Sequence, residues 1–554
     1  MSDQDMSQEE LLNQILRDQS TMEVCRKPWE MHWQEVAERC LPRGADFVGE
    51  IRNGQKKSEK AIDSTPILAL ERFAAAVESV VTPRTQTWHG LQNERFADDN
   101  EVQEYYEELT RILFRLRYAP AANFANQQSE NYVSIGAFGN GCVFVDELPG
   151  KGMRYICYHL REIFFEENYQ GVVDLVHRKF KLTARQAVQQ FGKDKLPVAV
   201  QRASEQTPLA KFDFIHRVSP NDEVKYGATG EPVAGPDGMP WKSIYICMTD
   251  RKIVRTGGYH TMPYCIARYY KSPGEVYGRG PGMTALPDIK VLNEMNKETL
   301  VGAQLANRPP VLVSDDGALE SFSLVPGSIN SGGVSSNGNA LAIPFATGAQ
   351  PNLGLEMMDQ KRQLINDIFL VTLFQILVQN PQMTATEAML RAQEKGQILA
   401  PTMGRIMSEQ LGPMIEREVD ICARMGLFPE PPQQLIDAGM EFDIDYKSPL
   451  VRMQRADEGA GIAQTLQLAT SLAQFDQSVL GLIKTGDVLR DFADINGMPR
   501  SLLLDKEEEQ QMKQAQAQQA QLNNLVQAAP NIATAADKMA SAQQKANSPL
   551  PAPQ

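Results

Sequence analysis

Two long helical segments that enclose a short β excursion constrain this chain more than any other feature. The segment at about Met283–Ala306 carries Leu286, Ile289, Leu292, Met295 and Leu300 at helical spacing, and Asn307-Arg308-Pro309-Pro310 ends it. Strand pieces and Gly/Ser-rich turns follow: Val311-Leu312-Val313, Phe322–Val325, the turn-rich SINSGGVSSNGN, then Leu341–Pro344. A second long helix is expected over about Leu353–Val378. Such an excursion cannot bury its own apolar faces, whereas copies set side by side bury them against one another. The end of the second helix sharpens the point. Ile368–Val378 reads IFLVTLFQILV, apolar on every side, so as a helix it is buried on every side. Its eleven residues are too few to cross a bilayer, which takes ~20. A helix buried in a large assembly, with no membrane, is the better account.

At 554 residues the chain is too long for one core, since single cores stop growing at ~250–300 residues. Hydrophobic residues at 42% and charged residues at 22% are ordinary globular usage, so sizeable cores are possible. The net charge of −14 argues against tight nucleic-acid binding, which relies on a basic stripe to displace condensed counterions. The densest basic run, Lys56-Lys57 with Lys60 nearby, reads as a solvated loop. DNA meeting this surface would slide along it. Seven scattered cysteines form no Cys-x-x-Cys pair and read as buried and reduced in a protein made in the cytosol. The N-terminus MSDQDMSQEE is acidic and polar, unlike a signal peptide.

Ahead of the excursion the chain begins helical. Ser7 with Glu10 forms a capping box before Leu11, Leu12, Ile15 and Leu16, and Trp29, Trp33, Val36, Ala37 and Cys40 recur at helical spacing. Asp63-Ser64-Thr65-Pro66 signals a helix start with a hydroxyl cap and Pro in the first turn. Further helices are expected at about 99–117 and 120–135. Near Gly136 the period changes. Cys142–Val145, Arg154–Tyr158, Val172–Phe180, Phe212–Val218 and Ile244–Met248 read as strands, with Asp250-Arg251 closing a hairpin and Thr183 capping a short helix to Phe191. Beyond Asn380-Pro381-Gln382 another long helix opens at Thr384 or Thr386, kinks near Pro401 and reaches about Met425. Two or three helices fill about 450–500, and the Gln/Ala-rich tail from about 510 lacks core-forming residues. The class is α+β, mainly helical.

Signatures of catalysis are missing. Gly278-Arg279-Gly280-Pro281-Gly282 lacks the Gly-Lys-Ser/Thr ending of a P-loop, and Pro281 removes a backbone donor, so it reads as a hinge feeding a helix. Gly136-Ala137-Phe138-Gly139-Asn140-Gly141 precedes a strand where a dinucleotide fingerprint follows one; a helix-to-strand turn fits better. Histidines 32, 89, 159, 177, 216 and 260 stand apart, without metal-ligand spacing, and no Gly-x-Ser-x-Gly elbow occurs. No catalytic residue, cofactor or metal is expected, and the chain reads as a non-enzyme.

Several segments together resemble the bacteriophage head-to-tail connector family, the portals of short-tailed phages, over roughly residues 10–510. The resemblance rests on Trp29-Glu30 with Leu41-Pro42, on Asp63-Ser64-Thr65-Pro66, and on Val81-Thr82-Pro83 with Trp88. It continues in Val276-Tyr277-Gly278-Arg279-Gly280 before Leu292-Asn293, and in Met383-Thr384-Ala385-Thr386-Glu387 opening a helix that ends at Met425-Gly426-Leu427-Phe428-Pro429. Each motif is weak alone; their order is specific.

The resemblance implies a twelve-fold ring, a dodecamer, around a DNA channel at one capsid vertex of the virion, made in the host cytoplasm. It implies a wing (1–280 and 386–448), a stem of paired helices (281–307 and 351–379), a clip (308–350), a tunnel loop (380–385) and a crown (449–510), followed by the 511–554 tail. Leu292, Met295, Phe369, Leu373 and Leu377 would form the subunit interface of the stem, and Asn380, Pro381, Gln382, Met383 and Thr384 the channel-facing loop. The implied partners are further copies of the chain, non-specifically held double-stranded DNA, the terminase large subunit, tail and adaptor proteins, and the major capsid and scaffolding proteins. Some relatives place a basic residue near the loop, whereas Gln379–Thr386 carries no charge, so DNA contact there would be polar or steric. The competing readings are a neck adaptor ring, usually a much shorter chain, and a DNA-processing enzyme such as a motor ATPase or nuclease.

Overall fold

The computed structural model describes residues 8–49, 54–96, 99–222, 224–225, 233–313, 323, 325, 327–331, 333–345, 351–372, 401–473, 483–496 and scattered positions between 512 and 519. The proposed cap at Ser7 and the strand piece at Phe322 lie outside these residues. The chain divides into two compact units, residues 1–93 with 105–456, and residues 94–104 with 457 onward. Helix takes 52% and strand 19%, an α+β chain that is mainly helical.

The N-terminal periodicity becomes one continuous helix, α1 (Gln8–Cys40), burying Ile15, Met22, Trp33, Val36, Ala37 and Cys40 along one stripe. Cys25 lies off that stripe and is exposed, which corrects the expectation that the cysteines are uniformly buried. α2 (Thr65–Val81), α3 (Asn100–Arg117) and α4 (Phe124–Phe138) follow close to the expected places. Among the described residues lie β1 (His89–Gln92), β2 (Asn140–Leu148), β3 (Gly152–Cys157), β4 (Ile163–Glu167) and β5 (Val173–Thr183). α5 (Ala184–Phe191) starts at Thr183, the expected cap, and Gln186 completes a capping box in which the two satisfy each other's backbone. α6 (Val198–Gln206), β6 (Lys211–Pro220), β7 (Trp241–Cys247), β8 (Lys252–Tyr259) and β9 (Tyr264–Arg268) complete this region.

The strands form two antiparallel sheets, β3-β2-β9 and the meander β4-β5-β6-β7-β8, while β1 pairs with the distant β12 (Asp443–Tyr446). Arg251 turns the β7–β8 hairpin with φ +46°. Phe180, Phe191, Leu196, Val200 and Phe214 make the core between the meander and α5–α6. A second core is aromatic. Trp33 packs edge-on against Tyr277 at 5.3 Å and beside Phe47 at 5.4 Å, and Phe165 meets Tyr277 at 4.5 Å.

The long helices are α7 (Pro281–Asn307) and α8 (Pro351–Ile368), and between them β10 (Val311–Val313) and β11 (Ala342–Pro344) form an antiparallel ribbon. α8 is shorter than expected. It stops at Ile368 because Phe369 turns inward against Phe73 and Leu370 adopts a left-handed φ of +59°; helical backbone resumes at 371–372. Residues 401–406 are helical, Met407–Leu411 form a π-turn, and α9 (Gly412–Arg424) continues from it. α10 (Gln433–Asp437), α11 (Pro449–Ala473) and α12 (Thr485–Asn496) close the list, with Ala469, Ala493 and Ile495 buried in the smaller unit.

Candidate functional site: the helical hairpin and its anchor

The start of α2 fixes the base of the α7–α8 hairpin. Ser64 occupies the cap position, yet its hydroxyl makes no capping bond; the Thr65 N–H donates instead to Asp63 Oδ1 at 2.8 Å. The expected hydroxyl cap is therefore a carboxylate cap from one residue earlier. The other oxygen, Oδ2, accepts from Arg362 Nε and Nη2 of α8 at 3.1 and 2.9 Å. The Asp63 N–H donates to Asn293 Oδ1 of α7 at 3.0 Å. Burial raises the Asp63 carboxyl, but hydrogen bonds from Thr65 and Arg362 outweigh it and hold the group below the usual carboxylate range. One buried aspartate thus ties three helices together.

Two further ion pairs brace the hairpin: Lys361 with Asp288 at 2.7 Å between α8 and α7, and Lys290 with Glu35 at 2.5 Å between α7 and α1. Arg279 lies over the Trp29 ring at 4.9 Å. Trp29, Tyr277, Asp63 and Asn293, widely spaced in sequence, all serve this junction.

The two glycine motifs meet here as well. Gly139, left-handed at φ +74°, ends α4, and a Cβ on it would stand 2.4 Å from Gly280 N. A Cβ on Gly278 would stand 2.6 Å from Gly139 O, and one on Gly282 2.7 Å from Ala137 O. Asn140 clamps the contact, donating from Nδ2 to Gly278 O at 3.0 Å and accepting the Gly278 N–H at 2.7 Å. The helix-to-strand turn is present as expected at Gly139. The Gly278–Gly282 segment is a backbone-to-backbone seam, which corrects its reading as a hinge.

The predicted interface residues divide. Leu292 and Phe369 are fully buried inside one protomer, so neither offers a surface to a neighbour; Met295 is half-buried. Leu373, Leu377, Asn380, Pro381, Gln382, Met383 and Thr384 lie outside the described residues. Among the described residues, the apolar side chains that the hairpin exposes are Val291, Leu300 and Val301 on α7 and Leu355, Met357 and Leu364 on α8. Periodicity picked out Leu300 but not its role, because it identifies an apolar residue without saying which surface covers it. The ribbon exposes Leu312, Val313, Ile343 and the adjoining Phe345. A two-stranded ribbon with apolar residues on its surface is marginal alone.

Among the described residues no group of His, Cys, Asp and Glu is arranged to hold a metal ion, and no helix is long and apolar enough to cross a membrane. Lys57 pairs with Asp46 at 2.6 Å and Lys60 with Glu38 at 2.8 Å.

A family model described as bacteriophage head to tail connecting protein matches residues 12–504. The chain belongs to this family. Curated relatives of this connector include the probable portal protein of Bordetella phage BPP-1, 26% identical over 492 residues and 86% of each chain. The portal protein of Salmonella phage epsilon15 is 25% identical over 516 residues, covering 92% of this connector and 91% of its own length. Among solved structures, the virion of a native gene transfer agent particle aligns with a TM-score of 0.30 at 14% identity, over 73% of this chain and 99% of the other. The neck of an empty gene transfer agent particle aligns with a TM-score of 0.35 at 12% identity, over 75% and 91%.

Proposed function

We propose that this connector is a portal protein whose copies close into a dodecameric ring at one capsid vertex, through which double-stranded DNA enters during packaging and leaves during ejection. The observation that carries the ring is the α7–α8 hairpin. It is anchored at its base by Asp63 and leaves Leu300, Val301, Leu355 and Met357 exposed in the protomer. Burying those side chains against the next copy removes them from water, and repetition around a closed rotation leaves none uncovered. Family membership and portal-named relatives support the place at the head–tail connection.

In this reading the α7–α8 pair is the stem, and residues 308–350 are the clip that seats the terminase large subunit and later the tail and adaptor proteins. Residues 1–280 and 386–448 are the wing facing capsid and scaffolding proteins, and 449–510 the crown. Asn380, Pro381, Gln382, Met383 and Thr384 form an uncharged loop that meets DNA sterically, and the net charge of −14 keeps the polyanion from sticking. The role is passive conduction and docking, without catalysis.

Electron microscopy of the purified protein at assembly concentration tests the reading: rings with a central hole are expected, and monodisperse monomer overturns it. Deleting 315–340 is expected to leave rings intact and abolish motor or tail docking; loss of rings on that deletion overturns the clip assignment.

A further inference from the structure

α7 is fastened to the larger unit at its start and again near its middle. The middle fastening is the Asp63–Asn293 bond. At the start, backbone meets backbone. The Arg279 N–H donates to Tyr270 O at 2.7 Å and the Tyr270 N–H to Arg279 O at 3.2 Å, so the segment before α7 pairs with the chain just beyond β9. Arg268 Nη1 donates to Val276 O of the same segment at 3.2 Å. Asn140, fully buried, closes the other side. Its Oδ1 accepts the Gly278 N–H, and its Nδ2 donates to Gly278 O and to Phe138 O, each at 3.0 Å. Taking and giving one bond with the same residue copies a hydrogen-bonded strand pair, with a side-chain amide in place of a backbone. The Asn140 carbonyl accepts in turn from Ser134 Oγ at 2.8 Å, which ties the amide to α4.

The spacing of the two fastenings makes the first a fine control on direction. At about 1.5 Å per residue, α7 rises ~16 Å from Gly282 to Asn293 and a further ~21 Å to Asn307. With Asn293 as the fulcrum, a slip of about 1 Å at the seam tilts the helix by ~3–4°. A ring of about twelve copies turns ~30° from one copy to the next, and one copy more or fewer changes that step by only ~2–3°. A slip of one ångström is enough to change the count.

We propose that Asn140 is the positioning residue that fixes the direction of the hairpin and, resting on the ring reading, the number of copies at which the ring closes. The glycines let the two backbones touch, and the amide stops them from sliding. Neighbouring hairpins then meet at one angle, and rings of one size follow. Asn140 acts through Gly278 and α7 and touches no neighbouring copy.

Counting copies per ring in the purified full chain, by electron microscopy and native mass spectrometry, tests it. In Asn140→Ala the fraction of rings with one copy more or fewer is expected to rise about 10-fold, the effect of one or two net hydrogen bonds. Asn140→Ser, which keeps a shorter donor and acceptor, is expected to fall between, and it carries the comparison if the alanine variant fails to fold. Phe191→Leu weakens the core between the meander and α5–α6, away from the seam, and is expected to keep the wild-type count. A wild-type count in both Asn140 variants overturns the proposal. So does an equal spread in Phe191→Leu, which reports general destabilisation. Hydrogen exchange over 276–283 keeps the two ideas apart. Absence of rings in the wild type defeats the portal reading; exchange about 10-fold faster in Asn140→Ala, and not in Phe191→Leu, then still upholds the hold of Asn140 on the hairpin, and unchanged exchange removes it.

Discussion

Asp63 Oδ2 and Arg362 Nη2 stand 2.9 Å apart, joining the first turn of α2 to the middle of α8 across nearly three hundred residues of sequence. Asp63 is 6% exposed and Arg362 34%, so the aspartate is the more costly partner to leave unpaired. Asp63→Ala removes a helix cap, a charge-assisted pair and the acceptor for the Arg362 guanidinium. Both single variants are expected to cost ~2–3 kcal/mol: Asp63→Ala loses the cap together with the pair, and Arg362→Ala keeps the cap but leaves the more buried carboxylate without its cation. Denaturant unfolding of both single variants and the double variant gives the coupling. The folded carboxyl lies below its unfolded value, so this contribution is present above the unfolded range near ~4 and is lost as pH falls through the folded value.

A second pH effect sets in earlier and comes from buried neutral histidines. His216 stacks on Tyr245 at 3.9 Å and exchanges hydrogen bonds with Tyr264 at 2.7 Å and Ser243 at 2.9 Å. Burial lowers its pKa well below the usual value, and Arg178 and Arg255 add to the shift. Burial, then Arg217, lowers His177 to about 3, and burial, then Arg117, lowers His89. Unfolded histidines bind protons below ~6.5 while these three stay neutral in the fold, so their contribution is intact above ~6.5 and declines as pH falls toward the folded values. Each is expected to cost up to ~1.4 kcal/mol per pH unit between ~6 and 5, above the window in which the paired carboxylates protonate. Unfolding free energies at pH 7.5, 6 and 5 check this; the slope is expected to be smaller in His177→Gln.

The glycine seam predicts a sharp contrast between glycines. Gly278→Ala puts a methyl 2.6 Å from Gly139 O, with backbone on both sides and nothing flexible to move. A loss of ~3 kcal/mol or failure to fold is expected. Gly426, at φ +64° with open space around it, is expected to lose only ~1–2 kcal/mol on changing to Ala, the cost of the left-handed backbone alone. Thermal unfolding of the pair separates crowding from backbone strain.

What could be read from the sequence follows period and local chemistry. The Thr183 cap, the stripe of α1 and the stop after Asn307 all depend on neighbours within one or two turns, and each was legible. β9 was missed because all five of its residues are buried, which erases alternation. The break at Leu370 was missed because IFLVTLF contains neither Gly nor Pro; Phe369 packing on Phe73, at 6.4 Å, overrides helical propensity there. Pro401, where a kink is expected, is the first described residue of its helix, so the kink itself lies outside the described residues. The anchor was legible only as separate motifs. That Asp63 meets Asn293 and Arg362 is a tertiary fact, with sequence separations of 230 and 299 residues.

The hairpin separates residues that fold the protomer from residues that would join protomers. Leu292 is fully buried, whereas Leu300 is 55% and Leu355 48% exposed. Leu292→Ala opens a cavity within one chain and is expected to cost ~2–5 kcal/mol of protomer stability. Leu300→Glu and Leu355→Glu meet water in the protomer, so unfolding is expected to shift by less than ~0.5 kcal/mol. In a ring the same glutamates would sit uncompensated against a neighbour's apolar side chains, at several kcal/mol for each contact. Light scattering and electron microscopy should therefore find stable, folded monomers for the two glutamate variants. Rings of normal size and stability in both would place the subunit contact elsewhere on the chain.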